Sequence, residues 1–138
     1  MVNYEIKDGV AIIPEGAVEI GEDTFYDCWS LENVIILESL TRIEQDAFKV
    51  CTSVKNVAIP GSVREIEEYA FEGCTSLTTV ILPVGLKEIN LTAFYKCPSL
   101  STIYVPAKKT EYYKELLPEE LHGKIVELAP EKKTKAKK

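Results

Sequence analysis

Four cysteines, Cys28, Cys51, Cys74 and Cys97, recur at intervals of 23 residues. The same interval separates Phe25, Phe48, Phe71 and Phe94, and again Ile20, Ile43, Ile66 and Ile89. Further columns hold Leu31, Val54, Leu77 and Leu100, then Val34, Val57, Val80 and Ile103, then Ile36, Ile59, Leu82 and Val105. A seventh holds Pro60, Pro83 and Pro106, with Leu37 at its first position. No insertion disturbs any of these columns. A unit this short cannot bury its own apolar face, so successive units must stack on one another, and the chain is a solenoid.

Each unit changes period partway through. Between 66 and 77 the apolar residues are Ile66, Ala70, Phe71, Cys74 and Leu77, a spacing that predicts a short helix. Val80 and Leu82 then alternate with polar or outward positions, as in a strand. Pro83 ends that strand because it has no N–H for a ladder. Gly61 and Gly85 supply turns to the next unit. The expected class is α/β, with short parallel strands on one face of the solenoid and short helices on the other.

The ends depart from the repeat. Residues 4–13 alternate around Asp8-Gly9, a hairpin signal, and Ile13-Pro14 aligns with Ile59-Pro60. Residues 1–14 are therefore expected to form a hairpin cap and partial repeat, with the first arm covering the sheet edge. Residues 15–106 form the repeats. Residues 107–128 form a C-terminal cap, with Thr110 as N-cap of a helix carrying Tyr113, Leu116 and Leu117, and with residues 124–128 as a last short strand. All of this is one domain, 1–128. Residues 129–138 are a Lys-rich tail expected to be disordered.

Charge divides the same way. The net charge of −6 comprises +4 in residues 131–138 and −10 in the rest. An acidic body argues against nucleic acid, which needs clustered Lys and Arg. No apolar run approaches the roughly 20 residues of a membrane helix, so membrane insertion is not expected.

Residues 66–83, IEEYAFEGCTSLTTVILP, and residues 100–117, LSTIYVPAKKTEYYKELL, resemble the BspA-like leucine-rich repeat family, the class with 23-residue repeats. The resemblance covers roughly residues 3–128, with Leu37 in place of proline and Val54 in place of leucine as minor departures. It implies a right-handed leucine-rich repeat solenoid with adhesive or protein-binding function, at the cell surface or secreted. The opening residues MVNYEI lack the basic and then apolar pattern of a signal peptide.

Little in the sequence points to catalysis. Metal sites need ligands that converge, as in C-x2-C pairs. A column at 23-residue spacing instead stacks thiols that point the same way, so four free, buried cysteines are expected and neither metal nor disulfide is assigned. The phenylalanine column is expected to be the core spine. His122 stands alone after the terminal helix. There is no G-x-S-x-G, phosphate-binding glycine loop or H-E-x-x-H. No catalytic residue and no cofactor is expected.

Binding has more support. The strand columns that point away from the core hold Ile12, Ile35, Ala58, Ile81 and Tyr104, beside Val10, Asn33, Asn56, Thr79 and Thr102. A solvent-facing sheet is ordinarily polar there, yet the first column is an apolar stripe. It reads either as an interaction surface or as simple strand preference. Trp29, in a column otherwise of Thr52, Thr75 and Pro98, is a candidate anchor or a side chain folded over a neighbouring repeat. The expected function is a non-catalytic protein-interaction module binding a protein ligand through Ile12, Ile35, Asn33, Asn56, Thr79, Ile81, Thr102, Tyr104 and Trp29. The alternatives are a glycan-binding surface module or a self-associating structural protein.

Overall fold

A computed structural model describes residues 4–129. The repeats stack as a solenoid with parallel strands on two faces of the core, one four-stranded sheet at the back and a two-stranded and a four-stranded sheet that together form the front. The front sheet contains β1 (Val10–Ile13), β3 (Asn33–Ile36), β5 (Asn56–Ala58), β7 (Thr79–Ile81), β9 (Thr102–Val105) and β10 (Ile125–Glu127). The back sheet contains the two-residue strands β2 (Glu19–Ile20), β4 (Arg42–Ile43), β6 (Glu65–Ile66) and β8 (Glu88–Ile89). The back ladder runs unbroken from β2 to β8. The front ladder is continuous from β5 through β7 and β9 to β10 and joins β1 to β3, but no strand pairing links β3 to β5.

Register puts like on like, because every repeat has the same length. Val57 pairs with Val80 and Val80 with Ile103, while Ile43 pairs with Ile66 and Ile66 with Ile89. These side chains point inward from the two sheets and are buried. Between them run the phenylalanines. Phe25, Phe48, Phe71 and Phe94 stack with centroids 4.9–5.4 Å apart and planes within 11° of parallel. No polar or charged residue is buried with them among the described residues.

The repeats carry no α-helix where the sequence spacing predicts one, and this corrects the expected face of short helices. The segments between back and front strands are successive tight turns. Two columns explain why. Asp23, Asp46 and Tyr69 have φ of 57° to 61°, and Asp27, Val50, Gly73 and Lys96 have φ of 58° to 74°. Left-handed residues at both ends of the segment prevent a continuous α-helix. Backbone N–H groups that a helix would satisfy internally donate to the next repeat instead. Phe25 donates to the Ala47 carbonyl, Phe48 to Ala70 and Phe71 to Ala93, at 2.7–2.8 Å. Single turns such as Cys51 N–H to Phe48 C=O remain, which is enough to bring Ala, Phe and Cys inward at helix-like spacing.

Both ends differ from the expected caps in detail. Lys7 and Val10 exchange two hydrogen bonds of 2.9 Å around Asp8 and Gly9, both at positive φ, so the tight turn is present. Its first arm does not lie along the sheet edge. Tyr4 stacks on Phe25 at 5.8 Å, and Ile6 packs against the core, so the arm covers the end of the aromatic spine. At the other end the helix α1 spans Thr110–Leu116, with Tyr113 fully buried. Lys109, not Thr110, occupies the N-cap position. The Thr110 hydroxyl donates to Glu127 of β10 at 2.7 Å, tying the helix to the last strand. The Lys-rich tail lies outside the described residues apart from Ala129.

Candidate functional site

The front sheet presents the outward columns as a surface. Pairing sets Ile12 beside Ile35, and Ala58 beside Ile81 and then Tyr104. The apolar column continues one residue further than the repeat indicates, because Val126 of β10 pairs with Tyr104. Val126 escaped the 23-residue pattern because the C-terminal cap is one residue shorter, placing it 22 positions after Tyr104. Ile12 is 55% exposed, Ile35 43%, Ile81 37% and Val126 46%. The missing pairing between β3 and β5 divides the stripe into an N-terminal pair and a C-terminal run of four.

The polar column runs parallel to it. Val10 lies beside Asn33, and Asn56, Thr79 and Thr102 follow one another. Asn33 and Asn56 are exposed, whereas Thr79 and Thr102 are half-buried. The hydroxyls one position earlier are committed to the fold, with Thr78 donating to the Lys55 carbonyl at 3.1 Å and Ser101 to the Thr78 carbonyl at 3.2 Å. Where the ladder breaks, a polar cleft of about 560 Å³ opens between Glu32, Asn33, Ser53, Lys55, Asn56 and Ser76. Amide, hydroxyl, ammonium and carboxylate groups thus border an apolar stripe, an arrangement suited to a polypeptide surface of mixed character.

Trp29 is not part of this face. It is 72% exposed in the turn after Cys28, on the edge between the two sheets, and its ring is not stacked on another aromatic side chain. Eight of the nine sequence-predicted residues therefore share the front sheet, and Trp29 stands apart.

The groups with reactive chemistry are held within the fold. The thiols of the last three cysteines each donate to a carbonyl 26 residues earlier, Cys51 to Phe25, Cys74 to Phe48 and Cys97 to Phe71. Burial pushes the Cys51 thiol up to about 12 and Cys97 up to about 11, and raises Cys74 further still. None of them is a thiolate near neutral pH. All four cysteines are free, but only Cys51 and Cys74 are buried; Cys28 and Cys97, in the outermost repeats of the column, are half-buried, which corrects the expected column of four buried thiols. His122 shares a 3.0 Å hydrogen bond with the Leu117 carbonyl. Among the described residues no three His, Cys, Asp or Glu converge as a metal site, and no helix is long and apolar enough to cross a membrane.

Repeat length, facing parallel sheets and the buried aliphatic columns define a leucine-rich repeat solenoid. More narrowly, residues 9–118 match the model of the BspA-type leucine-rich repeat region in six copies, and the chain belongs to that family. Among solved structures it is similar to a leucine-rich repeat protein from Bacteroides ovatus, at 34% identity and a TM-score of 0.71, over 87% of this chain and 30% of that one. A leucine-rich cell surface protein from Faecalibacterium prausnitzii shares the fold at 24% identity and TM-score 0.71, over 93% of this chain and 33% of that one. A leucine-rich repeat protein of T. pallidum matches at 26% identity and TM-score 0.59, over 70% of this chain and 58% of that one. The chain thus spans about a third of the first two structures. No curated protein matches it. The family is generally a binding scaffold, and no catalytic family is indicated.

Proposed function

We propose that the folded unit, residues 1–128, is a non-catalytic module that binds a protein ligand through its front sheet, in an adhesive role at the cell surface. The observation that carries this reading is the outward apolar column, Ile12 with Ile35 and then Ala58, Ile81, Tyr104 and Val126, each run in register and exposed or half-buried beside the Asn and Thr column. A rigid solenoid offers such a surface with little ordering cost on binding, which favours affinity. The surface assignment takes support from the family and from the cell surface protein it resembles in fold.

The test is the double variant Ile35→Lys/Ile81→Lys on an array of extracellular proteins. Two charges placed on an apolar contact are expected to weaken binding by at least about 30-fold, the equivalent of losing one hot-spot side chain worth about 2 kcal/mol. Undiminished binding by a folded double variant would refute the assignment.

A glycan-binding reading is favoured by one observation, the exposure of Trp29 and Tyr26 on the turn edge. A glycan array read with Trp29→Ala separates the two. Self-association through the stripe is read by light scattering over a concentration series.

A further inference from the structure

One joint of the front sheet is built differently from its neighbours. Elsewhere, two successive N–H groups at the entry to a strand converge on a single carbonyl of the preceding repeat. Glu32 and Asn33 donate to Gly9, Thr78 and Thr79 to Lys55, and Ser101 and Thr102 to Thr78, at 2.7–3.4 Å. Lys55 and Asn56 occupy the same place before β5, where the corresponding acceptor is the Glu32 carbonyl. No backbone hydrogen bond joins either N–H to it among the described residues. Residue type supplies a cause. At the next two joints the Thr78 and Ser101 hydroxyls also donate to the shared carbonyl and draw the repeats together, and Lys55 carries no hydroxyl. These N–H groups border the polar cleft of about 560 Å³, a size within the roughly 300–1,000 Å³ range of ligand-binding clefts.

We propose that this cleft receives the carboxylate of an acidic side chain on the protein partner, held by the Lys55 and Asn56 N–H groups and by the Lys55 ammonium. The proposal rests on the reading that the front sheet binds a protein, and it names the chemistry of one anchor. The repeats themselves show what two such N–H groups hold, since at three joints the pair grips one oxygen atom. Successive backbone N–H groups of this kind favour an anion. The Lys55 ammonium makes no ion pair among the described residues, and the Ser53 and Ser76 hydroxyls stand on the same walls. Glu32 also borders the cleft, but its carboxyl group folds over Gly9, where an added Cβ would meet it at 2.9–3.1 Å. That places its charge toward the first repeat and away from Lys55. The joint lies between Ile35 and Ala58, so a polypeptide following the apolar stripe crosses it.

The experiment is an amide-resolved NMR titration of the chain with three probes: Ac-Val-Glu-Val-NH2, Ac-Val-Gln-Val-NH2 and sodium acetate. The glutamate peptide is expected to move the Lys55 and Asn56 amide protons downfield and saturably. It should bind roughly 5-fold tighter than the glutamine peptide, the margin of a charge-assisted hydrogen bond over a neutral one. Lys55→Thr, which supplies the hydroxyl that closes the next two joints, should abolish those shifts and slow hydrogen exchange at residues 55 and 56. Lys55→Met keeps the N–H groups and should bring the glutamate peptide down to the affinity of the glutamine peptide. Equal affinity of the parent for the two peptides, unmoved Lys55 and Asn56 amides, shifts retained in Lys55→Thr, or no saturation by about 10 mM would overturn the proposal. Acetate binding as tightly as the glutamate peptide would overturn the polypeptide source in favour of a small carboxylate. Failure of the front-sheet reading is a separate result, read from the ligands that Ile35→Lys/Ile81→Lys keeps. If that variant loses its ligands while the peptides do not distinguish Glu from Gln, the front sheet stands and only the carboxylate anchor falls.

Discussion

The two sheets are built from the same repeat and stacked in the same way, yet they present opposite surfaces. On the back, the residue before each buried isoleucine is Glu19, Arg42, Glu65 or Glu88. Arg42 lies 3.4–3.7 Å from carboxylate oxygens of Glu44, Glu65 and Glu67, so that face satisfies part of its charge within itself. On the front, the corresponding outward column is apolar, and Ile12, Ile35, Ile81 and Val126 remain 37–55% exposed. Stacking therefore dictates what points inward on both faces but leaves the outward columns free. The back uses that freedom for charges that keep it solvated, and the front for a surface that gains from being covered.

Several changes should break or sharpen this contrast. The largest concerns the spine shared by both sheets. Phe71→Ala should cost about 3–5 kcal/mol, the usual loss for a buried phenylalanine. Front and back should then unfold together in urea, and a melting curve equal to the parent's would remove Phe71 from the core. Slightly smaller is the inward side of one face alone: Ile66→Ala should cost about 2–5 kcal/mol, checked by the same urea titration.

Outward changes should be much smaller and should differ between faces. Arg42→Ala leaves Glu44, Glu65 and Glu67 facing one another, and exposed pairs of this kind are worth up to about 1 kcal/mol. Its destabilisation should shrink in high salt. A salt-independent loss would mean that Arg42 acts through packing. The front double variant Ile35→Lys/Ile81→Lys should stay within about 0.5 kcal/mol of the parent, because those side chains are not in the core. A large loss of stability in calorimetry would show that the stripe is structural.

Titration supplies the smallest contrast. On the back, desolvation first and then the neighbouring Glu19 raise the Glu44 carboxyl above its ordinary value. A raised acid contributes stability at pH below its unfolded value of about 4.5, and that contribution is lost as pH rises through the folded value. At the end of the front sheet, the Thr110 hydroxyl and backbone N–H groups lower Glu127. Its contribution is present above about 4.5 and lost as pH falls through the folded value. Carboxyl-resolved NMR should therefore place the Glu44 midpoint above the Glu127 midpoint. Thr110→Ala should move only Glu127 upward.

The sequence carries the solenoid, the inward columns and the alignment of the front stripe because equal repeat lengths force like residues into register. It does not distinguish a helix from a run of turns in residues 66–77. Ala70, Phe71 and Cys74 face inward in both, and the deciding bonds run to the next repeat, which local periodicity cannot register. The left-handed Asp23 and Asp46 leave a trace in composition, since Asp tolerates that conformation, but Tyr69 in the same column hides it. Val126 was concealed by the shortened cap. The open joint before β5 was concealed because Lys55 is polar like the rest of its column, and the bonds that it does not make run to the preceding repeat.

The central claim is that the front sheet, and not the back, meets the partner. The most direct measurement compares the parent, Ile35→Lys/Ile81→Lys and Arg42→Ala on one array of extracellular proteins, with all three shown to be folded by calorimetry. The account predicts that ligands captured by the parent are lost by the front variant and kept by the back variant. Ligands kept by the front variant, or lost equally by both, would contradict it.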